Sequence, residues 1–177
     1  MRAVQILRRL IGDRRGTSAV EFALIAPLML FMYAGVTELT QAHMAQKRVS
    51  HVASVIADLA AQEAALTQAM VDDIFAAGEH ILLPFEREPL TQRLTSIERR
   101  ANGTTVVLWS RSSGAGALRS TADIPLPRDV LGNGETIIVA EASYAFTSPL
   151  GAVLPNGLTL NAIYYLRPRQ TVAVTCC

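Results

Sequence analysis

The feature that most constrains this chain is Thr17–Val36, TSAVEFALIAPLMLFMYAGV. It has one charged side chain, Glu21, and no Lys or Arg. Twenty helical residues span about 30 Å, the thickness of a bilayer's hydrocarbon core. The run also explains the composition: half of the 177 residues are apolar and only 18% are charged, against about 25% in an ordinary soluble domain. So much apolar mass argues against intrinsic disorder.

The flanks orient the segment. Arg2, Arg8, Arg9, Arg14 and Arg15 precede it with only Asp13 opposing them, so residues 1–16 carry +4 and the rest −3. Glu38 follows soon after the run, and Lys47 and Arg48 come later. The positive-inside rule places residues 1–16 in the cytoplasm and the C-terminal body outside. A cleaved secretory signal would have a shorter apolar region and a clear small-residue site; Tyr33-Ala34-Gly35 offers only a weak one. Net positive charge sits in the leader and is not spread over a folded face, which excludes the usual nucleic-acid binder.

Glu21 is the anomaly. A carboxylate at the centre of a membrane helix costs roughly 2.5–3.5 kcal/mol on insertion scales. Two readings follow: it lies near the interface, four residues after Thr17, or it meets a cation after assembly. Arg14-Arg15-Gly16 directly precede Thr17, and Glu21 is the fifth residue from Thr17. Basic residues, Gly, four residues, Glu and then an apolar helix resemble the processing site of type IV pilin-like precursors. More narrowly, Arg15-Gly16-Thr17-Ser18-Ala19-Val20-Glu21-Phe22-Ala23-Leu24, with Pro27, Gly35 and Glu38, resembles the N-terminus of the TadE-like minor pilins (pseudopilins) of the tight-adherence (Tad) pilus system. The resemblance implies cleavage by a prepilin peptidase between Gly16 and Thr17. Gly fits a protease subsite because it has no side chain. Loss of the leader removes the +4 anchor, and the new Thr17 amino group could pair with Glu21 of a neighbouring subunit, with Phe22 beside it. Such a pair adds little stability but can fix register between helices.

Beyond the run, Ala42, Ala45, Val49, Val52, Ile56, Leu59, Glu63, Leu66 and Met70 follow a 3-4 spacing, a helical stripe with one polar member. No Gly or Pro interrupts residues 36–77. The spacing predicts one helix from Thr17 to Ala77, with Gly78 as its C-cap and a bend at Pro27. Packing on the protein's own sheet is expected for residues 50–75, and packing on other pilin helices for 17–40, where Ala23, Ala26, Ala34 and Gly35 permit close approach.

After Gly78 the sequence reads as β. Pro84 and Pro89 mark a loop, and Leu90–Glu98 is a strand or a short connector. Asn102-Gly103 is a hairpin turn leading to a β-rich run over 104–110. Residues 111–135 read as loop, including Gly114-Ala115-Gly116, Pro125, Pro127 and Gly132-Asn133-Gly134. Thr136–Phe146 is the clearest strand. Asn156-Gly157 marks another turn, and Leu158–Leu166 and Thr171–Thr175 are strand-like. The expected architecture is α+β: a long N-terminal helix, membrane-spanning in its first half, packed on a small antiparallel sheet of three to five strands, which is type IV pilin-like. The organisation is a leader (1–16), a transmembrane helix (17–36), its extension outside the membrane (37–77) and an extracytoplasmic β-rich domain (78–177).

Catalytic signatures are missing from the sequence. His43 and His51 share a helix face loosely, and with His80 they lack Cys, Asp or Glu at metal-ligand spacing. Asp72-Asp73 read as a solvated face. No nucleophile elbow, Walker A, zincin or dinucleotide fingerprint is present. No metal, cofactor or enzymatic role is expected. Cys176 and Cys177 are adjacent; outside the cytoplasm thiols tend to oxidise, and an intermolecular disulfide or no covalent role are both open. By resemblance the partners are the prepilin peptidase, the major pilin, other pseudopilins, the inner-membrane assembly platform, the secretion ATPase behind it and the membrane, with no nucleic acid. The protein would sit in the bacterial inner membrane in a single pass, its C-terminal domain periplasmic, or enter a surface pilus that serves adhesion. The competing expectation is an unprocessed signal-anchored periplasmic adaptor or scaffold, in which Gly16 and Glu21 are incidental.

Overall fold

A computed structural model describes residues 16–114, 119, 126, 130–151, 153–154 and 157–177. Most of the leader, Ala115-Gly116, Pro125 and Pro127 of the predicted loop, and Asn156 of the predicted turn lie outside the described residues. Among the described residues eight elements follow in order. They are α1 (Thr17–Gln62), β1 (Ala65–Leu66), α2 (Gln68–Leu82), β2 (Leu90–Arg99), β3 (Thr105–Ser113), β4 (Thr136–Phe146), β5 (Leu158–Leu166) and β6 (Thr175–Cys176). The α+β architecture, with a long apolar N-terminal helix on an antiparallel sheet, is as expected.

The sheet has four strands in the order β3-β2-β4-β5, every pair antiparallel. The β2–β3 hairpin turns at Asn102-Gly103, where Gly103 has φ +81°, a left-handed conformation that glycine adopts without a steric penalty. The Asn102 side chain accepts from the Thr104 amide at 3.0 Å. The pairing skips one residue between Ser96↔Trp109 and Ile97↔Val107, so Leu108 forms a bulge. Alternation along the strands gives two apolar faces. Leu90, Leu94, Ile138, Ala140, Ala142, Tyr144 and Phe146 join the helices in one core. Ile97, Ile137 and Val139 close a second core with Leu131.

The outer half of α1 lies against β4 and β5. Ala45, Val49, Val52, Ala53, Ile56, Ala57, Ala60 and Ala61 are fully buried. The 3-4 stripe therefore faces the chain's own sheet, and own-chain contact begins as early as Gly35 and Glu38, within the stretch assigned to other helices.

The single helix to Ala77 is not what forms. α1 ends at Gln62, Glu63 turns extended (φ −93°, ψ 147°), and Ala65–Leu66 pair in parallel with Thr175–Cys176. The C-terminal segment causes the break by supplying donors that a continuing helix would have supplied. Arg169 N–H donates to the Ala61 carbonyl (2.9 Å), Thr175 N–H to Ala64 (3.3 Å) and Cys177 N–H to Leu66 (3.3 Å). Thr67 then caps α2, its hydroxyl accepting from the Met70 amide at 3.3 Å. Of the predicted strand at 171–175, only Thr175 pairs, together with Cys176.

Gly78 is not the C-cap. It lies inside α2, which runs on to Leu82. A Cβ at Gly78 would overlap the Gln92 carboxamide and come within 3.2 Å of Ile56 Cγ2. Glycine is used here for close approach of a helix to the sheet, not for a left-handed turn. Gln92 is buried and donates to the Phe75 carbonyl at 2.9 Å.

Candidate functional site

The residues singled out in the sequence lie on the first half of α1. Gly16 is the N-cap residue, with φ −91° and ψ 0°, and no side chain caps the helix there. A Cβ on Gly16 would meet nothing within 4 Å. The junction between Gly16 and Thr17 is therefore sterically open among the described residues. Thr17, Glu21 and Phe22 are all exposed, with Phe22 at 70%. Pro27 lies inside the helix; its ring removes one rung of the hydrogen-bond ladder.

The helix around them is apolar on every side. Val20, Phe22, Leu24, Ile25, Leu28, Met29, Leu30, Phe31, Met32 and Tyr33 are all more than half exposed. An 18-residue window of α1 has mean hydropathy 1.9, none of it buried within the chain. Contiguous exposed apolar surface on this scale is not stable in water. A helix that is apolar all round belongs in lipid or among other helices. By length and composition α1 can cross a membrane.

At the end of this segment the helix meets the body of the protein. Glu38 is fully buried. Its Oε2 accepts from the backbone amides of Val153 and Leu154, both at 2.9 Å. One turn earlier, a Cβ on Gly35 would sit 3.3 Å from Val153 Cγ2, so the absent side chain is what lets Val153 come this close to the helix. The sequence placed Gly35 and Glu38 in the motif but gave no sign of this contact, because the partners are 115 and 116 residues away.

Residues 16–66 match the family model described as TadE-like protein. That stretch starts at Gly16 and covers α1 with the break behind it. No curated protein and no solved structure matches the chain. The TadE-like segment thus contains Gly16, Thr17, Glu21, Phe22, Pro27, Gly35 and Glu38, all on one element or its cap. The four-stranded sheet lies outside the match.

The remaining candidates do not assemble into a site. His43, His51 and His80 are exposed, as are Asp72 and Asp73. Among the described residues no cluster of three or more His, Cys, Asp or Glu could hold a metal. Sequence reasoning missed Glu141 on β4, which meets Arg93 (3.1 Å) and Arg119 (2.7 Å). Burial raises its pKa, but hydrogen bonds and charge from Arg119 and Arg93 prevail and hold it below the ordinary value. The three groups line a cleft of about 500 Å³, and Arg93 Nε is left buried without a partner among the described residues. The Cys176 and Cys177 sulfurs lie 2.7 Å apart, and Cys177 Sγ is 3.7 Å from Gln68 Oε1. Burial pushes the Cys176 thiol up to about 11, helped by its neighbour. The hydrogen bond from Cys176, with Arg111, lowers the exposed Cys177 thiol. Cys177 is thus the one more easily reached by another chain.

Proposed function

We propose that this protein is a pilin-like minor subunit (pseudopilin) of a tight-adherence pilus, cut by a prepilin peptidase after Gly16. The carrying observation is a coincidence of boundaries. The TadE-like match, the basic-to-apolar switch and the start of α1 all fall at Gly16–Thr17. The open, side-chain-free junction suits a protease subsite. The apolar first half of α1 would hold the precursor in the inner membrane, with residues 1–16 cytoplasmic and the β domain periplasmic. After cleavage it would pack against helices of the major pilin and other pseudopilins at the assembly platform. Glu21, exposed near the new N-terminus, would pair with the Thr17 amino group of a neighbour and set register. The protein would act by assembly, not catalysis, and would itself be the peptidase's substrate. Deleting it should abolish surface pili and adherence, and wild-type protein should restore them. Glu21→Gln should restore neither, although the variant reaches the membrane at normal levels. Full restoration by Glu21→Gln would refute the register role.

A further inference from the structure

We propose that Pro149–Gly151 and Val153–Leu154 form a foot on the bilayer surface, which seats the β domain at a fixed height and rotation beside its helix. The proposal rests on the reading that α1 spans a bilayer. Twenty residues at 1.5 Å each place about 30 Å of hydrocarbon between Thr17 and Val36. Gly35 is in the last turn of that span, and Val153 touches it. Glu38, one turn further, holds the amides of Val153 and Leu154. These two contacts set the depth of the foot at the boundary between hydrocarbon and headgroups.

What the foot presents there is apolar. Leu150 is 58% exposed and Val153 44%, alongside Met32, Val36 and Leu39 on the helix. No residue from Thr147 to Leu154 carries a charge. Irregular backbone at this depth needs its amides satisfied by protein. Glu38 accepts two, and Ser148 Oγ accepts from Gly151 N–H at 3.4 Å. The buried carboxylate is spent on the foot and not turned to lipid. The occupant is lipid because Leu150 and Val153 are apolar and exposed beside Gly35, where the exposed apolar run of the helix ends.

The test uses the full chain with Cys176→Ser and Cys177→Ser, carrying one new cysteine at Leu28, Leu150 or Leu108, each labelled with the fluorophore NBD. Each protein is reconstituted into phosphatidylethanolamine–phosphatidylglycerol vesicles containing lipids with a nitroxide high on the acyl chain. Leu108 is the control, because its bulge lies opposite Ser96 and Ile97, and Ile97 pairs with Ile137, nine residues along β4 from Phe146 and so about 30 Å from that end of the sheet. The expected result is blue-shifted, strongly quenched emission for Leu150→Cys, with Leu108→Cys water-like. If Leu28→Cys is in lipid but Leu150→Cys behaves as Leu108→Cys, the foot is wrong and the span stands. If Leu28→Cys is itself water-like, the span fails and the foot with it. Emission at Leu150 that changes only when a partner protein is added would also overturn the lipid assignment.

Discussion

Replacing Glu38 with Ala removes the carboxylate that accepts from the backbone amides of Val153 and Leu154. A buried donor left without a partner costs about 1–3 kcal/mol. Two such donors bring the expected loss for the segment to about 2–6 kcal/mol. Val153 is partly exposed, so water can take up some of the lost bonding and the value should fall toward the lower end. Two kcal/mol is about a thirtyfold change in an opening equilibrium. The assay is amide hydrogen exchange on the full chain in detergent or lipid, followed at Val153 and Leu154. Exchange there should accelerate by about thirtyfold or more, while amides in β2 and β4 keep their protection. Glu38→Gln retains an acceptor oxygen and should recover part of the effect. Unchanged exchange in Glu38→Ala would refute the claim that this carboxylate fastens the segment.

Gly78→Ala should lower stability by about 1–3 kcal/mol in denaturant unfolding, because overpacking outweighs the roughly 1 kcal/mol of helix propensity gained; the new Cβ must displace Gln92 from the Phe75 carbonyl. A raised midpoint would contradict this. Glu141→Gln should destabilise the domain at neutral pH and flatten its acid limb. The folded pKa lies below the ordinary value of 4.5, so the stabilisation is complete above that value and lost as pH falls through the folded one. A pH–stability curve parallel to wild type would count against it. Trp109→Phe deletes the 2.7 Å bond from the indole N–H to the Val174 carbonyl and should cost about 1 kcal/mol. Faster exchange in 174–177 is the sign to look for.

Local chemistry made some elements legible and long-range chemistry hid others. Thr136–Phe146 and Leu158–Leu166 form with the bounds that their β-rich composition and flanking turns suggest. The Asn102-Gly103 turn needs only its own backbone. The break after Gln62 could not be read that way, because Glu63, Leu66 and Met70 keep the helical spacing of the stripe. The donors that draw the chain out of the helix come from Arg169, Thr175 and Cys177. Thr67 was the one local sign, a capping residue inside an apparently helical run. Gly78 was misread because a lone glycine near a helix end serves a turn or a close approach equally well, and only the position of Gln92 decides. The same holds for the site. The apolar run, Gly16 and Glu21 are legible because they act through their neighbours in sequence, whereas Glu38 acts through a segment more than a hundred residues away.

The central claim is that the boundary at Gly16 is a cleavage site. The most direct test is the N-terminus of the protein recovered from its own membranes, read by sequencing or intact mass. The account predicts a chain beginning at Thr17 when the prepilin peptidase is active, and the full precursor when it is inactivated. An intact N-terminus in cells with an active peptidase would contradict the account and favour a permanently anchored adaptor.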